Sequence, residues 1–526
     1  MVITPELILQ KKESFLAIEA LPTFSCRKGF LVTKFTRSTA GAAMQEPVAD
    51  DVFDRLRHNF TQRLQRFHTR PVTPLACYEL EKDLQAILAE TGRSVIEAEL
   101  NRVEAADKKE AAPRVRYHKQ TFRINKRTKA TIATSFGPIT LWSFLYLNEE
   151  DGEPGLHPLH VQLGIVAGAT PVLAERVARW AVDHSQSAVR HLLASEHGLH
   201  WSTTRLRSLL CAYRRLVVNF RADAQAARLL QWLAEAERSR GRHRPVLAAG
   251  RDGVMVPMRG HGYQEASAGT VSVYDRRKKR LGTVYLGQMP EARQTTMSAE
   301  LTALLTAVLQ QWLGPVPRLL YVTDKGQAQD DYYRRVLRRM RHPRQAEQHL
   351  HWEWVLDFFH VCGYVGKLSE ALFGPSSKPG QSWFRRMRKW LKERHQGVTQ
   401  MLRSATQHYN RAQLTKAEKA AFWKAYRYLR KHSCWMDYAR YRRQGLPIGS
   451  GVTEAACKTV FAQRLKRSGM RWHKESGQII VDLRVLQLSG IWDEVVRTDL
   501  LSRALPLRLQ RASDKPQTHK VLKKAA

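Results

Sequence analysis

Three things are scarce in this sequence: acidic residues, closely spaced cysteines and long apolar runs. Asp and Glu number 48 among 526 residues, against 86 Lys and Arg. The six cysteines form no C-x-x-C pair, which argues against a zinc ribbon or a disulfide framework and is typical of a reducing compartment. They are Cys26, Cys77, Cys211, Cys362, Cys434 and Cys457. No apolar run reaches the ~18 residues of a spanning helix, and the N-terminus lacks the order of a signal peptide. We therefore expect a soluble cytoplasmic protein with no membrane partner.

The surplus of positive charge is the strongest compositional signal. A net charge of +38 implies a polyanionic partner, and the phosphate backbone of a nucleic acid is the usual one. An anionic membrane surface is the weaker alternative, because the excess is spread along the chain rather than set on one amphipathic helix. With 43% hydrophobic residues and 13 Trp, a chain of this length can bury three or four domain cores.

The N-terminal half of the chain shows four successive patterns. They predict a disordered lead at 1–45, helices at 46–112, a basic β-hairpin region at 113–156 and a helical domain at 157–240. In that last domain a helix, a turn with Gly198 and a basic second helix have the outline of a helix-turn-helix, with Arg205 and Arg207 as DNA contacts. Two alternatives stay open. The hairpin can be a solvated edge, and the helix pair can be ordinary packing.

Three acidic residues lie where a strand or helix would hold them firmly. The pattern predicts a buried central strand at Arg318–Thr323, apolar from Leu319 onward, and Asp324 follows it directly. Asp252 lies within another strand pattern, and Glu454 lies in the first turns of a helix that a Gly/Ser turn opens. An aspartate after a strand is often only a turn cap. Three carboxylates in this order can, however, hold two divalent metal ions roughly 3.5–4 Å apart for in-line phosphoryl transfer.

The order of elements from residue 241 onward predicts the fold class. Three antiparallel strands, a helix, a strand, a helix and a fifth strand at Trp354–His360 have the order of a ribonuclease-H-like core. We predict an α/β, multidomain α+β protein. A helical and β-hairpin DNA-binding region precedes this core, whose first part spans 241–361. A helical insertion at 362–444 interrupts the core, and helices at 445–500 complete it. A disordered basic tail follows at 501–526. In the insertion, aromatics alternate with basic residues such as Arg385 and Arg386, which fits nucleic-acid stacking or, as the ordinary alternative, core packing.

Several short motifs occur in a fixed order along the second half of the chain. They are Arg251–Gly253, Val322–Gly326, Asp357–His360, Ile448–Lys458 and Arg464–Trp472. Together they resemble bacterial insertion-sequence transposases of the Kra type, relatives of the Mutator-like DDE enzymes. The resemblance implies that Asp252, Asp324 and Glu454 form the DDE triad and that Asp357 and His360 are an acid-x-x-His signature that tunes the site. Many relatives carry Cys pairs in the N-terminal β region, whereas residues 113–160 have none, so we expect no zinc-stabilised hairpin.

The activity that the resemblance implies is DNA transposition. Such an enzyme binds terminal inverted repeats, cleaves DNA and transfers the 3′-hydroxyl ends into target DNA as a homodimer or larger assembly. Carboxylates suit Mg²⁺ or Mn²⁺ in a two-metal site. Double-stranded DNA is expected to contact basic residues after the third acid: Lys458, Arg464, Arg467 and Arg471. The alternatives are a ribonuclease-H-like nuclease that only hydrolyses DNA, such as a junction resolvase, and a domesticated DNA-binding protein.

The third acid has two candidates. Asp357 follows Asp324 by 33 residues, a spacing that many compact DDE enzymes use, whereas Glu454 follows it by 130. We predict Glu454, because the third acid of this core comes from a helix after the last strand. A helical insertion accounts for the long gap.

Overall fold

A computed structural model of the chain describes residues 49–149 and 154–510. The disordered lead predicted at 1–45 lies outside the described residues. The chain divides into two units, Met1–Asp51 and Val52–Ala526, and almost everything described here belongs to the second. Within the described ranges no helix has the length and apolar character needed to cross a membrane.

The described chain begins with two helices and a basic hairpin. The elements are α1 (Ala49–His68), α2 (Pro74–Val103), β1 (Arg114–Tyr117), β2 (Gln120–Thr134) and β3 (Gly137–Asn148). The predicted hairpin is confirmed, with Thr134 paired to Gly137 across the turn. The end of α2 is fixed to β3 because Asn101 donates to the Thr140 carbonyl at 2.8 Å and accepts from the Trp142 amide at 2.8 Å.

A group of short helices follows the hairpin. They are α3 (Pro158–Gln162), α4 (Pro171–Asp183), α5 (Gln186–His197), α6 (Thr203–Val218) and α7 (Arg221–Arg238). Helix α5 ends at Gly198, whose φ of +62° is the left-handed region that glycine tolerates best. Helix α6 begins after Ser202, whose hydroxyl accepts from the Arg205 amide at 3.1 Å. The two helices predicted around Gly198 are confirmed.

A five-stranded mixed sheet forms the centre of the second half. Its region contains β4 (Val246–Met258), β5 (Gly262–Tyr274), β6 (Arg280–Gln288), α8 (Thr295–Gln311), β7 (Arg318–Thr323), α9 (Gln327–Arg335), β8 (Arg341–His342), β9 (Gln345–His349) and β10 (Trp352–Leu356). The strand order is β10-β7-β4-β5-β6. Strands β10, β7 and β4 are parallel, and β4, β5 and β6 are antiparallel. The sheet is buried on both faces, because hydrophobic clusters cover each side of β7.

The helical insertion packs directly on this sheet. It contains α10 (Phe358–Phe373), α11 (Lys378–Glu393), α12 (Gly397–Arg411), α13 (Lys416–Lys431) and α14 (Tyr438–Arg443). Side chains from these helices share one hydrophobic cluster with Val246, Leu320 and Val355 of the sheet. The strand predicted at Trp354–His360 is wrong in its second half, since β10 ends at Leu356 and α10 begins at Phe358.

The final helices return to the sheet and to the N-terminal helices. They are α15 (Gly451–Ala456), α16 (Gln463–Leu465), α17 (Lys474–Leu488) and α18 (Trp492–Arg503), followed by β11 (Arg508–Gln510). A π-helical turn, Cys457–Ala462, joins α15 to α16. Strand β11 pairs antiparallel with β1, so the disordered tail predicted from residue 501 is wrong as far as Gln510. Residues 511–526 lie outside the described part of the chain.

Candidate active site

Two of the predicted acids lie side by side at one edge of the central sheet. Strands β4 and β7 pair in parallel as far as Gly250 and Val322. Asp252 and Asp324 each lie two residues beyond that last pair, so the register puts them at the same level on neighbouring strands. Both line an open cleft of 1210 Å³, the place where α/β sheets bind ligands.

The charges of the acids interact. Burial, followed by the negative charge of Asp324, raises the pKa of Asp252 to about 6. The Gly253 amide donates to Asp252 Oδ1 at 2.8 Å, which lowers the pKa of Asp252 in part. The negative charge of Glu454 raises this pKa by a smaller amount. A carboxyl whose pKa is raised by burial and by a like charge in a cleft is characteristic of a functional site.

Helix α15 brings Glu454 to the same edge. The residue before it, Thr453, is buried and its hydroxyl shares a hydrogen bond of 2.8 Å with Thr270 on β5. The helix can approach this closely because position 250 on β4 is glycine: a Cβ there would lie less than 3.0 Å from Thr453 Oγ1. Glu454 itself is exposed, in the first turn of the helix.

Asp357 has a different role from the cleft acids. It is fully buried and caps α10 by accepting the His360 amide at 2.8 Å. Its other oxygen accepts the Ser450 amide at 2.5 Å and the Ser450 hydroxyl. The same hydroxyl lies 3.1 Å from Glu454 Oε1. Asp357 therefore holds the start of α15, and its two oxygens together accept three hydrogen bonds.

The predicted partner of Asp357, His360, lies on a helix rather than a strand. Its ring is half-buried in an aromatic group, with centroids 5.5 Å from Tyr364 and 6.0 Å from Tyr428. Tyr364 and Tyr428 stack at 3.8 Å. The Tyr428 hydroxyl donates to the backbone carbonyl of Asp324 at 3.2 Å, so the insertion directly supports the second acid.

The residue after the second acid, Lys325, is held by two tryptophan rings and an aspartate. Lys325 has a φ of +70°, and its ammonium lies 3.2 Å from the ring centroid of Trp435 and 4.5 Å from that of Trp354. It also pairs with Asp330 at 3.3 Å. Burial lowers the pKa of Lys325, and Asp330 opposes that effect. This cation–π cage fixes the turn in which Asp324 lies.

A thiol borders the first acid. Cys457 is buried at the start of the π-helical turn, with Sγ 3.5 Å from Asp252 Oδ2. Burial, then the negative charge of Asp252, raises the pKa of this thiol, so it stays a neutral hydrogen-bond donor. Glu265 lies close by: its carboxylate covers the backbone at Gly253 and lines the cleft.

The donor atoms at this end of the sheet fit a hard cation in type. Asp252, Asp324 and Glu454 offer only carboxylate oxygens, which Mg²⁺ and Mn²⁺ prefer. Across residues 49–149 and 154–510, however, no three His, Cys, Asp or Glu side chains are grouped closely enough to hold a metal ion. Metal binding by the three acids therefore stays a prediction.

The predicted DNA contacts fall into two groups. Those exposed on the surface are Arg205, Arg207, Arg385, Arg386, Lys458, Arg467 and Arg471. Arg464 is only 1% exposed, donates to the Ala181 carbonyl at 3.2 Å and lies over the Trp472 ring. Burial lowers the pKa of Arg464 to about 10. The predicted DNA contact of Arg464 is therefore wrong, and this side chain joins α16 to α4.

No protein-family model and no curated sequence matches this chain. The site is thus described from its own residues. Sequence reasoning missed Ser450, Tyr428 and Glu265. Ser450 lies in the Gly/Ser turn that opens the helix of Glu454, and a serine at that position is a recognisable N-cap signal. Nothing in the sequence connected Tyr428 or Glu265 to the acids.

Proposed function

We propose that this chain is a metal-dependent DNA transposase of the DDE type with a ribonuclease-H-like core. The observation that carries the proposal is the placement of the acids. Asp252 lies on β4 and Asp324 directly after the parallel strand β7, each two residues beyond their last shared pair. Helix α15 contacts β4 through Thr453 and Gly250, and Glu454 lies close enough for its charge to act on Asp252. The strand order, three antiparallel strands extended by two parallel ones, supports the ribonuclease-H-like assignment.

Charge supports DNA as the substrate. The net charge of +38 favours a phosphate backbone, and exposed basic residues on α6, α11 and beyond α15 offer contacts to it. Arg205 on α6 rests over the Trp201 ring at 4.8 Å, which holds its guanidinium at the start of the candidate recognition helix. End recognition by α6 and assembly as a homodimer or larger form belong to this proposal.

The reaction is phosphoryl transfer without a covalent enzyme intermediate. In the first step a water oxygen attacks the phosphorus, and the bond to the 3′ oxygen breaks. In the second step the freed 3′-hydroxyl attacks a target phosphodiester and displaces its 3′ oxygen. Mg²⁺ or Mn²⁺, when bound, would activate the attacking oxygen and neutralise the leaving one. Asp252, Asp324 and Glu454 would hold the ions, while Tyr428 supports the backbone of Asp324 and the bonds from Ser450 to Asp357 hold the start of the helix that carries Glu454.

A strand-transfer assay tests the proposal. The full chain is incubated with Mg²⁺, a donor plasmid carrying the DNA that flanks its reading frame, and a target plasmid. We expect joined donor–target products, reduced at least about a hundredfold in D252N, D324N and E454Q with DNA binding retained. Asp331→Asn is the matched control, since Asp331 lines the same cleft and pairs with Arg335.

Three results would contradict the proposal in different ways. Cleavage products without joined products would favour a nuclease that only hydrolyses. Full activity in E454Q together with loss in D357N would move the third acid to Asp357. Full activity in D252N would show that the cleft with Asp252 and Asp324 is not the active site.

A further inference from the structure

A second, strongly basic pocket lies beside the segment that leads into α15. Its volume is 370 Å³, and it lies between the end of β5, the start of α10, α11 and α14. Its basic lining residues are Lys278, Arg388, Lys392 and Arg442. No carboxylate is among the described residues that line it. Four cations without an acid in a pocket of this size favour an anionic ligand of small-molecule dimensions.

Two of the four cations are held by backbone carbonyls. Lys278 donates to the Arg442 carbonyl at 3.1 Å, and Arg442 donates to the Lys392 carbonyl at 3.4 Å. A carbonyl fixes the direction of a side chain without cancelling its charge. Lys278 also has a φ of +71°, a strained conformation for a residue with a side chain. The positive charges of Lys278 and Arg442 are thus positioned by groups that carry no opposite charge.

Phe359 gives this pocket an exposed aromatic face. The ring is 59% exposed, whereas the preceding residue on α10, Phe358, is buried. It lies against Gly449, since a Cβ at that glycine would come within 3.1 Å of the ring. The Arg388 guanidinium lies 5.9 Å from its centroid. An aromatic ring next to several basic side chains is a combination that binds unpaired nucleotides in single-strand-binding proteins.

We propose that this pocket binds one nucleotide, with its base stacked on Phe359 and its phosphate held by the surrounding cations. A free nucleotide and a nucleotide within a DNA strand offer the pocket the same base and phosphate. The choice of a DNA strand as the source rests on the proposed function. The position of the pocket next to α15 favours a DNA strand as the source of the nucleotide. Gly449 directly precedes Ser450, which contacts Glu454, so a strand held here passes next to the third acid.

Fluorescence anisotropy with a labelled single-stranded 20-mer of thymidylate tests this assignment in the full chain. Because base–aromatic stacking is worth about 1–3 kcal/mol, Phe359→Ala should weaken binding at least about fivefold. Phe359→Trp keeps an aromatic face and should bind within about twofold of the wild type. Phe53→Ala is the control, since Phe53 on α1 is 50% exposed, and it should leave binding unchanged.

Salt dependence separates stacking from charge. Phe359→Ala should keep the slope of log affinity against log salt, whereas Arg388→Gln should reduce it by about 0.7, the value for one phosphate contact on a single strand. Millimolar thymidine monophosphate distinguishes the sources: displacement of the 20-mer means that the pocket also accepts a free nucleotide. Absence of displacement means that it requires a strand.

Wild-type affinity and slope in Phe359→Ala would overturn the assignment. If that variant fails to fold, Phe359→Leu keeps apolar volume but removes the aromatic face, and normal binding there has the same meaning. Failure of the proposed function is distinguishable. It would appear as strand transfer unaffected by D252N, a variant that leaves this pocket intact.

Discussion

Replacing Gly250 by alanine would place a methyl group where helix α15 lies against strand β4. The added carbon would lie less than 3.0 Å from Thr453 Oγ1, 3.1 Å from Thr270 Oγ1 and 3.3 Å from the Val322 carbonyl. Ordinary contact begins at 3.4 Å, and two of the three neighbours belong to the sheet itself. The helix is therefore the part that must move, and Glu454 moves with it.

The magnitude follows from three contributions. Overpacking a close contact costs about 1–3 kcal/mol, and loss of the bond between Thr270 and Thr453 costs about 0.5–1.5 kcal/mol. Alanine in a strand recovers about 0.5–1 kcal/mol relative to glycine. The expected net loss is about 0.5–4 kcal/mol. A shift near 1 Å at a catalytic group can cost roughly a hundredfold in rate, so strand transfer should fall much more than stability.

Thermal unfolding and strand transfer measure the two effects. Gly250→Ala should lower the Tm by a few degrees, while Gly363→Ala on α10 should not, because nothing lies within 4 Å of a Cβ there. In a Thr453→Ala background, where the hydroxyl is already absent, the same substitution should cost much less. A wild-type Tm and rate in Gly250→Ala, or an equal loss in both backgrounds, would refute this account of how α15 is placed.

Three further predictions concern single side chains. The raised pKa of Asp252 means that the folded chain binds this proton more tightly than the unfolded chain, so stability should fall as pH rises from about 3.8 to about 6. In metal-free buffer Asp252→Asn should thus raise the Tm at pH 7 and leave it unchanged near pH 3.5; a rise confined to low pH would contradict this. Tyr428→Phe should slow strand transfer about three- to tenfold with DNA affinity unchanged, because one hydrogen bond to the backbone of Asp324 is lost. Tyr426→Phe serves as the control, since the Tyr426 hydroxyl bonds within the insertion, to Thr406. Arg464→Gln should lower the Tm, whereas Arg467→Gln should leave the Tm unchanged and reduce the salt slope for duplex DNA by about 0.9; the reverse pattern would restore Arg464 to the DNA surface.

The sequence predicted the central strand of the sheet well. Its pattern placed that strand at Arg318–Thr323, the bounds that β7 has, because an apolar run buried on both faces stops at a polar residue and a glycine. The end of β10 was missed. There an apolar run continues from a strand into the first turn of a helix, and short apolar runs do not distinguish the two.

Two other outcomes have identifiable physical reasons. Arg464 lies on the same helical stripe as Val460, Phe461 and Leu465, all of them buried, so its burial could have been inferred from spacing. The contact between Gly250 and Thr453 could not, because it joins residues about 200 positions apart and depends on the path of the whole insertion.

The pairing of β11 with β1 joins two strands that the ribosome synthesises at widely separated times. Arg508 lies opposite Arg116 in the ladder, 392 residues later in the chain. At synthesis rates of about 5–20 residues per second, the outer edge of β1 waits roughly 20–80 s for its partner. An unpaired edge strand is a template for pairing with other chains, and charged side chains on it reduce that risk. Arg114 and Arg116 on β1 thus protect the nascent protein during the interval before its own last strand emerges.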